Sequence, residues 1–155
     1  MQIEKDQIPK HNESLLKDHQ QKFSFIAAER NDTEAILQKL IDFQIAIPSW
    51  ALGAGGTRFA RFSIGGEPRN LEEKIEDVGL LHALNRSGGA ISLHIPWDIP
   101  KNPKAVKQLA AQYDLHFDAM NSNTFQDQPD QKYSYKFGSL QNVNKAIRQQ
   151  AVNHN

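Results

Sequence analysis

IPSWALGAGGTRFARF, residues 47–62, is the stretch on which the reading of the fold turns. An apolar run ends at Trp50, and Gly53, Gly55 and Gly56, with Gly65 beyond them, relax the backbone into an irregular path. Arg58 and Arg61 flank Phe59 at what reads as the loop tip. The pattern is that of a strand that stops inside a pocket and becomes a long loop. A second apolar run, AISLHIPWD from Ala90, also finishes on a tryptophan, Trp97, beside His94 and Asp98. Two strands that end on Trp imply one shared site.

Working outward, Phe43–Ser49 is a short apolar strand with little alternation, as expected of a strand buried on both faces of a parallel sheet. After the glycine loop, Asn70 is a good N-cap, Glu72 and Glu73 favour the helix dipole, and Leu71, Ile75, Val78, Leu81 and Leu84 share one face. Ser87-Gly88-Gly89 is expected to end that helix. Ala90–Pro96 is the second strand, and Asn102-Pro103 opens a helix with Val106, Leu109, Ala110 and Tyr113 inward. Leu115–Met120 is the third strand, and Ser139 is expected to cap a last helix carrying Leu140, Val143, Ile147 and Ala151.

Upstream, Pro9 closes a polar lead-in, and from Asn12 the spacing of Leu15, Leu16, His19 and Phe23 predicts a short amphipathic helix. A second helix, capped by Asp32 or Thr33, carries Ile36, Leu37, Leu40 and Ile41. Residues 1–43 therefore read as a helical arm packed on a main domain, 44–155. Three strands each followed by a helix give an α/β fold with a parallel sheet. Three strands alone leave both sheet edges open, and the last helix has no stop signal, so the chain is expected to be cut from a larger fold.

The 18 basic and 18 acidic residues cancel, and like charges never run beyond a pair, which argues against a nucleic-acid or membrane-surface partner. No cysteine is present, so no disulfide or thiolate metal site can form. The first residues lack the apolar core of a signal peptide, and the expected location is cytoplasmic. The expected partner is a neutral small molecule or another protein.

In α/β folds ligands sit at the carboxyl ends of the strands, which here carry Trp50, then His94, Trp97 and Asp98, then Asn121 and Asn123. An indole face stacks on the C–H face of a sugar, although a buried Trp also serves as a core plug. His94 is compatible with a proton shuttle, a donor to a ligand hydroxyl, or a satisfied core histidine. Asp98 either orients His94 or begins a turn toward Asn102, and the turn is the favoured reading. His116 and Asp118 lack a third ligand at metal spacing. His11, His19, His82 and His154 read as lying on helix surfaces or ends. GAGGT fits neither GxGxxG nor a P-loop, so the glycine segment reads as a partner-contacting loop rather than a nucleotide cradle.

PSWALGAGGTRFARF, PRNLEEKIEDVGLLHAL, SLHIPWD, FQDQ and YKFGSL together resemble the amino-terminal third of the L-rhamnose isomerase and related sugar isomerase family, within the xylose-isomerase-like superfamily. The resemblance runs from about Ile45 to the end of the chain. It implies that residues 44–155 are about three βα units of a (β/α)8 TIM barrel that interconverts an aldose and a ketose, L-rhamnose and L-rhamnulose first, with a divalent metal, Mn2+. It further implies that Trp50, His94 and Trp97 contact the sugar, that Phe59 reaches a neighbouring subunit's site, and that the whole enzyme is a homo-tetramer. The family's metal ligands would lie beyond residue 155, since eight units need roughly 300 residues, and this piece is expected to be inactive alone. The alternative is a stand-alone sugar-binding α/β module without catalysis.

Overall fold

The computed structural model describes residues 6–52, 65–95 and 97–154. The element order is α1 (Gln7–Glu29), α2 (Thr33–Asp42), β1 (Ala46–Pro48), a 3-10 turn Ser49–Ala51, α3 (Leu71–Asn85), β2 (Ala90–Ile95), α4 (Pro103–Gln112), β3 (His116–Ser122) and α5 (Lys145–Asn153). Gly53, Gly55, Gly56, Arg58, Phe59 and Arg61 lie outside the described residues.

The described strands form one parallel sheet in the order β1-β2-β3. Ala46, Ile47 and Pro48 pair with Ala90, Ile91 and Ser92. On the other side Ala90 pairs with His116 and His94 with Asn121, with an irregularity between Ile91 and Leu93. β1 is shorter than the Phe43–Ser49 run: Phe43 and Ile45 are exposed, and the chain turns at Ser49 just after Pro48, which has no N–H to give a ladder. β3 is an open edge of the sheet, with His116–Asn121 all exposed.

The core lies on one face of β2. Ile91 and Leu93 pack against Leu71, Ile75 and Val78 of α3, Val106 and Ala110 of α4, and Leu115. Period-two alternation then turns Ser92 and His94 to the opposite face. Gly79 lets α3 and the end of α4 approach, since a Cβ there would overlap the Tyr113 ring.

The caps follow the chemistry of the side chains. Asn70 Oδ1 accepts from Glu73 N (2.9 Å) and Asn102 Oδ1 from Ala105 N (3.1 Å), as expected. Glu73 in turn takes a paired set of hydrogen bonds from the Arg69 guanidinium, which with the Arg69 backbone N–H pulls its carboxyl down to about 2. α3 is closed by Arg86 in the left-handed region (φ 58°) rather than by the Ser87-Gly88-Gly89 run.

Three further expectations are corrected. α1 is long and contains Pro9, which a first helical turn tolerates because the N–H there has no intrahelical acceptor. Asp32 does not cap α2; its carboxylate is held by Arg30 (2.8 and 2.9 Å). The last helix begins at Lys145, capped by Asn144 Oδ1 on Ala146 N (2.9 Å), and not at Ser139. Asn142 is the reason: its side chain bonds Gly138 O (2.9 Å) and Asn144 N (2.9 Å), favouring turn over helix, and Leu140 and Val143 stay exposed.

α1 touches the domain through Ile8 and through Asn12 Nδ2, which donates to Ala83 O (2.9 Å). Beyond that contact the arm is less covered than its periodicity predicts, and Ile36, Leu37, Leu40 and Ile41 of α2 are all exposed. His82, read as a surface residue, is buried on α3, and its Nδ1 has no partner. Burial pushes its imidazole below the ordinary value, Asp114 opposes this, and Arg86 and His116 add to it.

Two outcomes follow from the core. Ile91→Ala leaves a cavity between β2 and the two helices and is expected to cost about 2–5 kcal/mol in urea unfolding. Because His82 binds protons less readily folded than unfolded, its stabilising contribution is present above the ordinary value of 6.5 and is lost as pH falls below it. The urea midpoint should therefore drop between pH 7 and pH 5, and drop less in His82→Gln.

Candidate functional site

β1 and β2 both point their carboxyl ends at the same place. The 3-10 turn after Pro48 carries Trp50, β2 carries His94, and the turn after β2 carries Trp97. Trp50 meets His94 edge to face with ring centres 5.4 Å apart, and Trp97 lies over His94 at 4.5 Å with a 33° tilt. Phe125, just past β3, adds a third ring at 6.2 Å, again edge to face. All three sequence-derived ring residues thus come together, around a buried imidazole.

The imidazole is oriented by the backbone. His94 Nδ1–H donates to Ile95 O (2.9 Å), and in the neutral tautomer this leaves the lone pair on Nε2. Trp50 is half-buried, whereas Trp97 is 51% exposed, which is inconsistent with a core plug. An exposed indole over a buried imidazole is a surface suited to an apolar face with hydroxyls beside it.

Beneath the rings lies a buried ion pair. Lys74 Nζ donates to Asp98 Oδ1 (2.8 Å), with side-chain exposures of 10% and 1%. The other oxygen, Oδ2, accepts from the Ser49 hydroxyl and from His94 N–H (2.8 Å). Asp98 N–H also donates to His94 O (2.9 Å), so the turn that Asp98 closes begins at His94 and does not run on to Asn102. The carboxylate does not bond the imidazole itself. Three donors on one buried carboxylate offset its desolvation, and removing one member of such a pair typically costs about 3–5 kcal/mol.

Ser49, Lys74 and Phe125 escaped the sequence reading. Lys74 had a signal: it sits three residues after Leu71 and four before Val78, on the stripe that faces the core, where an unpaired ammonium would be costly. Asn123 is buried two residues before Phe125, its N–H donating to Ile95 O (3.0 Å), and its Oδ1 is without a partner. Asn121 is exposed on β3. Asp118 accepts from Ser92 Oγ (3.2 Å). Among the described residues no three His, Asp or Glu side chains are grouped so as to hold a metal ion, and no helix is long and apolar enough to cross a membrane.

No protein-family model matches the chain. Over 143 residues, 92% of its length, the chain is 46% identical to a Rhizobium meliloti protein named probable sugar isomerase. The chain is similar to probable sugar isomerases. A second protein of that name, from Mesorhizobium japonicum, is 53% identical over 122 residues, 79% of this chain. The chain spans about a third of the length of these sugar isomerase relatives, 33% of the first and 28% of the second.

The two tryptophans differ in exposure and are the only ones in the chain. Acrylamide should therefore quench the emission of Trp50→Phe, which retains Trp97, more steeply than that of Trp97→Phe. Equal quenching would contradict this ring arrangement.

Proposed function

We propose that the chain is the amino-terminal portion of a metal-dependent sugar isomerase that interconverts an aldose and a ketose, with L-rhamnose and L-rhamnulose as the first pair to test. The observation that carries this reading is the Trp50–His94–Trp97 cluster at the carboxyl ends of parallel strands, in a chain similar to probable sugar isomerases. The parallel βα units would be part of a (β/α)8 barrel, preceded by the arm of residues 1–43. The whole protein would act in the cytoplasm as a homo-tetramer, with Phe59 reaching a neighbouring subunit's site.

In this reading the indoles pack on the carbon skeleton of the sugar. The His94 Nε2 lone pair accepts a hydrogen bond from a sugar hydroxyl, which fixes the orientation of the chain of carbons as the ring opens. Trp97 covers that bond from solvent on one side, and Phe125 borders it on another. The described residues do not fit a divalent ion such as Mn2+, because no donor set is assembled among them. The metal ligands would lie beyond residue 155, and the chain would be inactive alone.

A second reading has one observation in its favour: the ring cluster is assembled entirely from this chain, as a stand-alone sugar-binding module would require. A chimera separates the two. With this chain replacing the matched third of the Rhizobium meliloti relative, ketose should form from L-rhamnose in the presence of Mn2+. Trp97→Ala should lower kcat/KM about ten- to a hundredfold, the scale of losing a buried anchor. Saturable rhamnose binding by the 155-residue chain together with an inert chimera would favour the binding module. Absence of both would overturn the sugar reading.

A further inference from the structure

We infer that Asp98, with Ser49 and Lys74, forms a positioning device that sets the angle between the Trp50, His94 and Trp97 rings. The carboxylate takes donors from three separate segments, two of which carry a ring at or next to the point of attachment. Ser49 precedes Trp50, the N–H it holds is that of His94, and Asp98 follows Trp97. Lys74 ties the same carboxylate to α3, whose neighbouring residues Leu71, Ile75 and Val78 are locked in the core. A shift of Asp98 therefore moves the two indoles and the strand end together.

Charge is not what the fold needs at this place. An apolar pair of matching volume commonly serves stability as well as a buried ion pair does. Such a pair cannot accept from a hydroxyl and a peptide N–H at fixed angles, and those two bonds are the ones that reach the ring-bearing segments. The network accordingly contributes direction rather than cohesion. As a deepening of the proposed sugar site, this inference rests on that reading only for its ligand readout; the ring geometry can be measured without sugar.

Both tryptophans of the chain lie in the cluster, so its near-ultraviolet circular dichroism reports this geometry alone among indoles. The 155-residue protein would be compared with Ser49→Ala, Ser49→Thr, Asp98→Asn and the double variant Lys74→Met/Asp98→Leu, each checked for fold by far-ultraviolet dichroism. Rhamnose titration would be followed by tryptophan fluorescence. Ser49→Ala and Asp98→Asn are expected to lose more than half of the indole band and to weaken L-rhamnose binding at least tenfold, while Ser49→Thr retains both. The double variant is expected to keep the wild-type melting temperature and still lose the band. A wild-type band and affinity in Ser49→Ala and in the double variant would overturn the inference, and Ser49→Ala decides it if Asp98→Asn fails to fold. If the wild-type chain binds no rhamnose and the band still collapses in Ser49→Ala, the positioning role stands and the sugar reading is decided by the chimera.

Discussion

The alternation of side chains along β2 is the constraint on which the rest of the molecule depends. Ile91 and Leu93 go to the face that α3 and α4 cover, and this sends Ser92 and His94 to the other. A shift of register by one residue would place an imidazole and a hydroxyl in the apolar core and two aliphatic side chains at the ring cluster. Pairing on both sides, with β1 and with β3, holds that register. Stability and chemistry are thus assigned to opposite faces of six residues.

Two carboxylates organise their surroundings by gathering several donors on one acceptor group, Asp98 in the interior and Asp127 at the exposed surface. Asp98 collects Lys74, Ser49 and the His94 N–H, and Asp127 collects the Tyr135 N–H (2.6 Å) and the Gln131 amide (2.8 Å). The backbone bond from Tyr135 is the main reason the Asp127 carboxyl lies below its ordinary value. Around it, Gln150 of α5 brackets Tyr133 through both its N–H (3.0 Å) and its carbonyl (2.8 Å), and Tyr135 meets His154 Nδ1 (2.7 Å). The long segment between β3 and α5 is therefore ordered by side chains where it has no ladder of its own.

What the sequence made legible was the part governed by short-range pattern. Apolar continuity found β2, and Asn70, Asn102 and Pro103 marked two helix starts because capping is decided within four residues. The convergence of Trp50, His94 and Trp97 was readable because parallel strands share one direction. Ser139 misled because a hydroxyl before an apolar stripe looks like a cap, while the competing turn bonds of Asn142 depend on geometry that spacing does not carry. The bonds of Asp98 to Lys74 and Ser49 were out of reach because those partners lie 24 and 49 residues away.

Those separations have a kinetic meaning. A contact spanning 49 residues closes a large loop, and the entropy of closure must be met before the contact gives anything back. Ser49 and Asp98 can meet only after β1 and β2 have paired side by side, which in a parallel sheet requires the α3 crossover to be in place. The ring cluster is therefore among the last features to assemble and among the first to dissolve. Slow folding or local opening of the core would empty the cluster of its geometry while most helical signal persisted, so a lesion far from the rings can present as a loss of ring order.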